Sequence, residues 1–556
     1  MASLYDVGSL PAKDQPEIVR PLANYPPSLW GDRFSLFTLD SQLLESYSKE
    51  VEKLRQVVKD EVVKVGGEPT KKMALINTLE RLGVSYLFEK EIDEQLECMF
   101  DGFEDRNYDL FTVALHFRIF RQHGYKMSCD IFNKFMDENS HHLKETLVSS
   151  DAMGMLSLYE AAYLRIHGED ILDEALAFTK ASLQSMAPHL NHPFLAEQVL
   201  HALELSLHKG FPRVEAAHYI SIYEKDDHRD EQLLRLAKLD FKRMQLLHQD
   251  ELCHLSRWWK ELAPNFPYTK DRLVECYLWA VGTYFEPHYS AARLIHTKIT
   301  VLVSILDDTF DAYGTLDELT LFTDVVQRWD RSDINLLPDY MKVLFRTLLD
   351  LFEELEEKLA SQGRSYAVHH TREAIKEQVR AYYTEARWFL KGDFPAFDDY
   401  LLNGQVTSTC FVLTLASYLG MADNYFPSIK ALNWLQKKPK IVIAACTIAR
   451  LIDDTKTYEV EKKRGQTVTG IDCFMKQKGA SKEKAMDELT KRVENSWKDI
   501  NEECLRPASV SMNLLIRFVN FARMMEVTYR KGDGYTHPEK TLKDIIFALF
   551  INPISV

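Results

Sequence analysis

Ile299-Thr300-Val301-Leu302-Val303-Ser304-Ile305-Leu306-Asp307-Asp308-Thr309-Phe310-Asp311 is an apolar run that turns acidic at its C-terminal end. A second run, Ile441 to Ile452, leads in the same way into Asp453-Asp454-Thr455-Lys456-Thr457-Tyr458-Glu459-Val460-Glu461. Both lie within helical sequence. On a helix, residues four apart share a face and stand about 6 Å apart along the axis. Asp307 and Asp311 therefore point one way, and Asp453, Thr457 and Glu461 do so over roughly two turns. Like charges stacked on one face repel, so something positive is expected between them. A solvated acidic surface is the plain alternative, and it accounts poorly for carboxylates that twice come after a core-like run. The pair reads as two carboxylate walls facing one another across a cavity and holding hard cations. Mg²⁺ suits such walls: it takes carboxylate and hydroxyl oxygens, keeps several waters and is shared with substrate phosphates. Thr457 fits the set, because a hydroxyl ligates without adding charge.

The rest of the chain predicts a helical protein. Only 21 Gly and 19 Pro occur in 556 residues, and Pro11, Pro16, Pro21, Pro26 and Pro27 crowd the N-terminal stretch. The remaining sequence is poor in turn punctuation and rich in helix formers, which points to an all-α fold with short connections. A chain of this length can bury substantial cores and suggests several domains. Residues 1–30 read as an extended strap. From Ser41 onward apolar stripes keep helical spacing, as in Leu75, Leu79, Leu82 and Tyr86. The polar stretch Glu224 to Gln232 is the best linker, dividing a helical domain over 31–225 from one over 226–556 that holds both acidic clusters.

Composition also limits the partners. A net charge of −15 argues against nucleic acid, which calls for basic patches. No apolar run approaches the ~18 residues that span a bilayer, so no membrane partner is expected. The eight cysteines are scattered, without CxxC or zinc spacing, and read as reduced thiols. Met1 to Val19 carry Asp6, Asp14 and Glu17, no Arg and no apolar segment, unlike a secretory signal or a plastid transit peptide.

With both clusters read, the chain resembles the plant terpene cyclases of the ionisation-initiated class. Asp307, Asp308 and Asp311 match that family's aspartate-rich motif, and Asp453, Thr457 and Glu461 its second metal motif. Other matching marks run along nearly the whole chain. They include Arg20-Pro21, Ser28-Leu29-Trp30-Gly31-Asp32, Arg81-Leu82-Gly83-Val84, Arg257-Trp258-Trp259-Lys260, Tyr284-Phe285-Glu286-Pro287 and Asp533-Gly534-Tyr535-Thr536. The segment Thr457 to Lys462, with Arg464-Gly465-Gln466 after it, is most similar to sesquiterpene cyclases of the aristolochene and vetispiradiene type.

The resemblance implies an N-terminal α-barrel-like domain and a C-terminal class I terpenoid synthase helical bundle. It also implies three Mg²⁺ ions, for which Mn²⁺ can substitute. A cytosolic, monomeric enzyme acting on farnesyl diphosphate is expected, releasing diphosphate and a bicyclic hydrocarbon by way of a germacrene-type intermediate. The N-terminal domain lacks the DxDD of protonation-initiated cyclases, so it is expected to serve as a scaffold whose strap caps the other domain.

The same resemblance extends to further site residues. Arg450 lies three residues before Asp453 and so shares its face. Arg272 matches the family's basic loop, where Lys270 stands in place of the usual Arg and keeps charge without the fork. Together they are expected to grip the diphosphate. A carbocation must be kept dry and can be stabilised by aromatic faces. Trp279 matches the cavity-floor tryptophan, and Tyr529 and Tyr535 flank a glycine-bearing lid with Asp533. For Tyr529 two readings stand, a proton donor to a neutral intermediate or a packing residue. Thr407-Ser408-Thr409 matches a helix break at the cavity, and back-bonding hydroxyls favour such a bend. Glu385 is either a contact behind the first cluster or a surface residue.

Three rivals remain. A prenyl-chain-lengthening synthase would repeat DDxxD, but Thr457 stands where that repeat needs Asp. The others are a cyclase of geranyl diphosphate and a catalytically inactive helical scaffold.

Overall fold

The computed structural model describes residue 20 and residues 25–63, 68–102, 108–137, 144, 151–463 and 468–555. Most of the expected strap and the Arg464-Gly465-Gln466 mark lie outside them. Among the described residues the regular structure is helical, with no β-strand, as the scarcity of Gly and Pro predicts. No described helix is long and apolar enough to cross a membrane.

The N-terminal half is organised around the Leu110–Gln122 helix. Its apolar residues bury nearly all round, and Arg118 and Arg121 are buried with them. Such a helix must be enclosed by others. Pro69–Arg81 and Ala152–Ala162 pack on it. Three enclosing helices begin at a proline (Pro69–Arg81, Pro193–Glu204, Pro212–Tyr223), where a missing N–H costs nothing. The stretch 224–230 is a turn. Asp230 then caps the 32-residue Glu231–Leu262 helix, accepting from the Gln232 and Leu233 N–H groups at 2.8 and 3.0 Å.

In the C-terminal half the Ser290–Ala312 helix carries the first acidic cluster and the Lys440–Lys463 helix the second. Their apolar stretches anchor them. From Ile299 to Leu306 every residue except Ser304 is buried, packed on Leu273–Thr283, Ser365–Lys391 and Cys410–Tyr418. The second helix lies against Lys482–Glu503, Met512–Thr528 and Phe397–Thr407. Burial of one stripe on each helix turns the carboxylate stripe towards the space between them.

The halves interlock through polar groups, of which Arg165, Lys209 and Asn501 are buried and Glu494 half-buried. Glu494 accepts from Lys209 at 2.6 Å and Arg165 at 3.2 Å, and Asn501 Nδ2 donates to the Tyr163 and Arg165 carbonyls, each at 2.9 Å.

Candidate active site

The two acidic helices and their neighbours enclose two adjoining chambers with cavity volumes of about 190 and 150 Å³. Asp307, Tyr382, Arg450 and Asp453 form their common wall. The outer chamber is acidic, with Asp311, Glu385 and Glu461 on its sides. The inner one is floored by Trp279, Leu413, Met525, Tyr529 and Tyr535.

Crowded carboxylates in a protein-lined space resist ionisation. The surrounding protein, and then Asp311 and Asp308, push Asp307 well above the usual carboxylate range, although its side chain faces the open cavity. Burial pushes Asp453 up to about 7 against the pull of Arg450, and Glu461 up to about 8 with Asp453 beside it. With no cation between them the walls favour protonated carboxyls, so charge on them calls for a positive partner that the protein itself supplies only in part, through Arg450. Thr457 Oγ1 lies 2.8 Å from the Asp453 carbonyl oxygen and 2.9 Å from Glu461 Oε1, placing its hydroxyl among the acidic oxygens. Among the described residues no three His, Cys, Asp or Glu side chains converge to hold an ion unaided. A hard-oxygen set of this kind fits Mg²⁺, which draws the rest of its shell from water and phosphate oxygens.

Arg450 is held in place, its Nη2 lying 2.5 Å from Asp453 and 2.7 Å from Asp454. Tyr400 donates to the same Asp454 oxygen that Arg450 meets, Oδ1, at 2.8 Å. Gly404 makes the space, since a Cβ there would stand 2.7 Å from Arg450 Cδ. Glu385 is a cavity group and accepts from Thr407 Oγ1 at 2.6 Å. Thr407, Ser408 and Thr409 line the inner chamber at a true break: Thr409 adopts φ 63° between the Phe397–Thr407 and Cys410–Tyr418 helices.

Five residues expected at the cavity, Asp308, Lys270, Arg272, Thr457 and Asp533, are not among those that line the two chambers. Asp308 is turned inward, where it accepts from the Lys270 backbone N–H at 2.9 Å and Arg272 Nη1 at 2.8 Å. One residue along a helix is a rotation of roughly 100°, enough to take it off the Asp307–Asp311 face. Lys270 points at the N-terminal segment, its Nζ donating to the Pro26 carbonyl at 3.0 Å. Arg272 is buried between Asp308 and the Tyr25 and Tyr535 rings.

That N-terminal segment makes further contacts. Arg20 pairs with both oxygens of Glu318 at 2.8 Å, and Trp30 Nε1 donates to Glu275 at 2.7 Å. On the inner floor the Trp279 ring meets Tyr535 edge-on at 6.1 Å, and the Tyr535 hydroxyl lies 2.5 Å from Ser304 Oγ. Asp533 accepts from the Thr536 N–H at 2.8 Å. Burial, then Asp453 and Asp533, hold the Tyr529 phenol well above its ordinary pKa.

Sequence reading missed Ser304, Tyr382, Tyr400 and Gly404. Ser304 had a signal, as the one hydroxyl between Val301 and Leu306, one turn before Asp307. The other three sit in helices of unremarkable pattern.

The chain matches known proteins in keeping with this geometry. Residues 260–499 match the metal binding domain of the terpene synthase family and residues 29–203 the terpene synthase N-terminal domain. A valerianol synthase from Camellia hiemalis and a hedycaryol synthase from Camellia brevistyla are each 55% identical over 543 residues, 97% of either chain. Isoprene synthase from grey poplar, solved with three Mg²⁺ ions and dimethylallyl-S-thiolodiphosphate, superposes with a TM-score of 0.86 at 35% identity. That match covers 92% of this chain and 98% of the other. A limonene synthase with 2-fluorolinalyl diphosphate gives 0.89 at 27%, covering 97% and 100%. With both domains matched in order around a cavity walled by two acidic helices, the chain belongs to the terpene synthase family.

Proposed function

We propose that this terpene synthase ionises farnesyl diphosphate with Mg²⁺ and cyclises the resulting carbocation to a sesquiterpene. The observation that carries the reading is the division of one cavity into an acidic outer chamber and an apolar, aromatic inner one. Asp307, Asp311, Asp453, Thr457 and Glu461 would hold the ions, three by analogy with the isoprene synthase complex, and Mn²⁺ would serve in their place. Bound there, the ions neutralise charge developing on the departing diphosphate.

Arg450 faces the leaving group from the common wall. Arg272 acts from behind, fixing Asp308 and with it the pitch of the first acidic helix. Lys270 ties the N-terminal segment over the basic loop. Trp279 and Tyr535 present ring faces and edges to a cation without a nucleophile. Thr407 to Thr409 turn the end of a helix towards it, and the apolar floor keeps water out. The relatives' names favour a sesquiterpene skeleton. Likeness to the aristolochene type, a bicyclic product, a monomeric state and a cytoplasmic location belong to the same reading.

The test is incubation of purified protein and Mg²⁺ with ten-, fifteen- and twenty-carbon diphosphates in competition, with products resolved by gas chromatography. Preference for the fifteen-carbon substrate, lost on chelation, supports the reading. Preference for geranyl diphosphate, or unchanged turnover in excess chelator, overturns it.

A further inference from the structure

The N-terminal half has a cavity of its own, open to solvent beside Met153, with a volume of about 140 Å³. It lies among the Pro69–Arg81, Leu110–Gln122, Ala152–Ala162, Pro193–Glu204 and Pro212–Tyr223 helices. Two guanidinium groups line it. Arg118, only 7% exposed, donates to Gln122 Oε1 at 3.1 Å and to Asn77 Oδ1. Arg81 donates to Gln198 Oε1 and lies 3.9 Å over the centroid of the Tyr219 ring, and its Nε is buried without a partner.

Both cations are thus held by neutral amides and a ring face. Among the described residues neither makes an ion pair. The carboxyl on the wall, Glu160, accepts the Leu207 N–H at 2.9 Å, and burial pushes it up to about 7 against the pull of Arg118 and Arg81. His201 is already paired with Glu215 at 2.7 Å. Glu80 and Glu160 act on Arg118 only through space, so both guanidinium forks keep room for a hydrogen-bonded charged partner, and such forks match phosphate and carboxylate oxygens. The remaining wall is apolar, formed by Phe111, Leu115, Leu156 and Phe194.

We propose that this cavity is a second binding site, which takes a small amphiphilic anion. Its phosphate or carboxylate head pairs with Arg81 and Arg118, and its apolar group lies along Phe111, Leu115, Leu156 and Phe194. Nothing in the cyclisation chemistry uses these residues, and the scaffold half thereby acquires a ligand of its own.

Calorimetric titration of the full chain in excess EDTA tests this, with geranyl monophosphate and geranic acid as the two head groups and geraniol as the neutral control. One saturable site for at least one anion is expected. It should weaken at least tenfold in Arg118→Gln and in Ser157→Phe, which fills the cavity from its wall, and stay unchanged in Trp279→Ala. Circular dichroism and retained turnover show that Ser157→Phe is folded should Arg118→Gln prove unstable. The proposal is overturned if neither anion saturates, if geraniol binds as tightly, if Ser157→Phe binds like the wild type, or if Trp279→Ala is the variant that loses binding.

Discussion

Asp307 and Asp308 are chain neighbours in opposite surroundings, and that contrast can be measured. Asp311 and Glu461 face the acidic chamber, so truncating either removes crowding as well as oxygens. Asp311→Ala and Glu461→Ala are expected to lower turnover by ~10²-fold or more, on the scale of losing a group that stabilises transition-state charge, with an unchanged thermal midpoint. Asp308→Asn strips the buried Arg272 of its ion-pair partner, which costs ~3 kcal/mol, so its midpoint should fall together with its activity. An Asp308→Asn protein that melts like the wild type would show that the pair does not anchor the helix. Tyr529 poses a second question. Burial and two neighbouring carboxylates keep its phenol protonated, so the proton is present, while a phenol of ordinary pKa near 10 is already a weak acid. If it reprotonates a neutral ring, Tyr529→Phe releases a monocyclic germacrene-type olefin. Gas chromatography showing an unchanged product from that variant would leave Tyr529 a packing residue.

Among the elements, the break at 407–409 depends most on a single residue. A β-branched side chain at φ 63° sits where glycine is favoured, at a cost of ~1–3 kcal/mol. Thr409→Gly is accordingly expected to raise stability by ~1 kcal/mol, measured by denaturant melts. It should also broaden the product mixture, because the turn of chain facing the inner chamber is less rigidly held. A Thr409→Gly protein no more stable than the wild type would mean that the break is not strained. The acidic helices need no such device. Their apolar stripes are buried by neighbours on several sides, and that burial, with the Asp308–Arg272 pair on the first helix, orients the carboxylates.

Across the whole molecule, the N-terminal and C-terminal halves are joined at Glu494, Lys209 and Arg165. Burial alone would push the Glu494 carboxyl up, but Lys209 and Arg165 outweigh it and hold it below its ordinary value. A carboxyl depressed in the folded state stabilises above its unfolded pKa, near 4.3, and loses that contribution as pH falls through the folded value. Glu494→Gln should therefore cost ~1–2 kcal/mol at pH 7, a figure discounted because the group is about a third exposed. The gap from wild type should close as the melts are taken below pH ~4. A gap that does not change with pH would assign the loss to packing.

The sequence by itself determined what is periodic and local: the helical composition, both acidic clusters, and the faces on which Asp307, Asp311, Asp453, Thr457 and Glu461 lie. Each comes from the 3.6-residue turn or from side chains within a few positions of one another. Only the tertiary structure decided that Asp308 turns to Arg272, that Lys270 bonds Pro26, that Gly404 makes room for Arg450, and that Ser304 meets Tyr535. These partners lie 36, 244, 46 and 231 residues apart. No local spacing encodes such meetings; they arise when several helices pack at once and each buried polar group takes the partner that packing brings within reach.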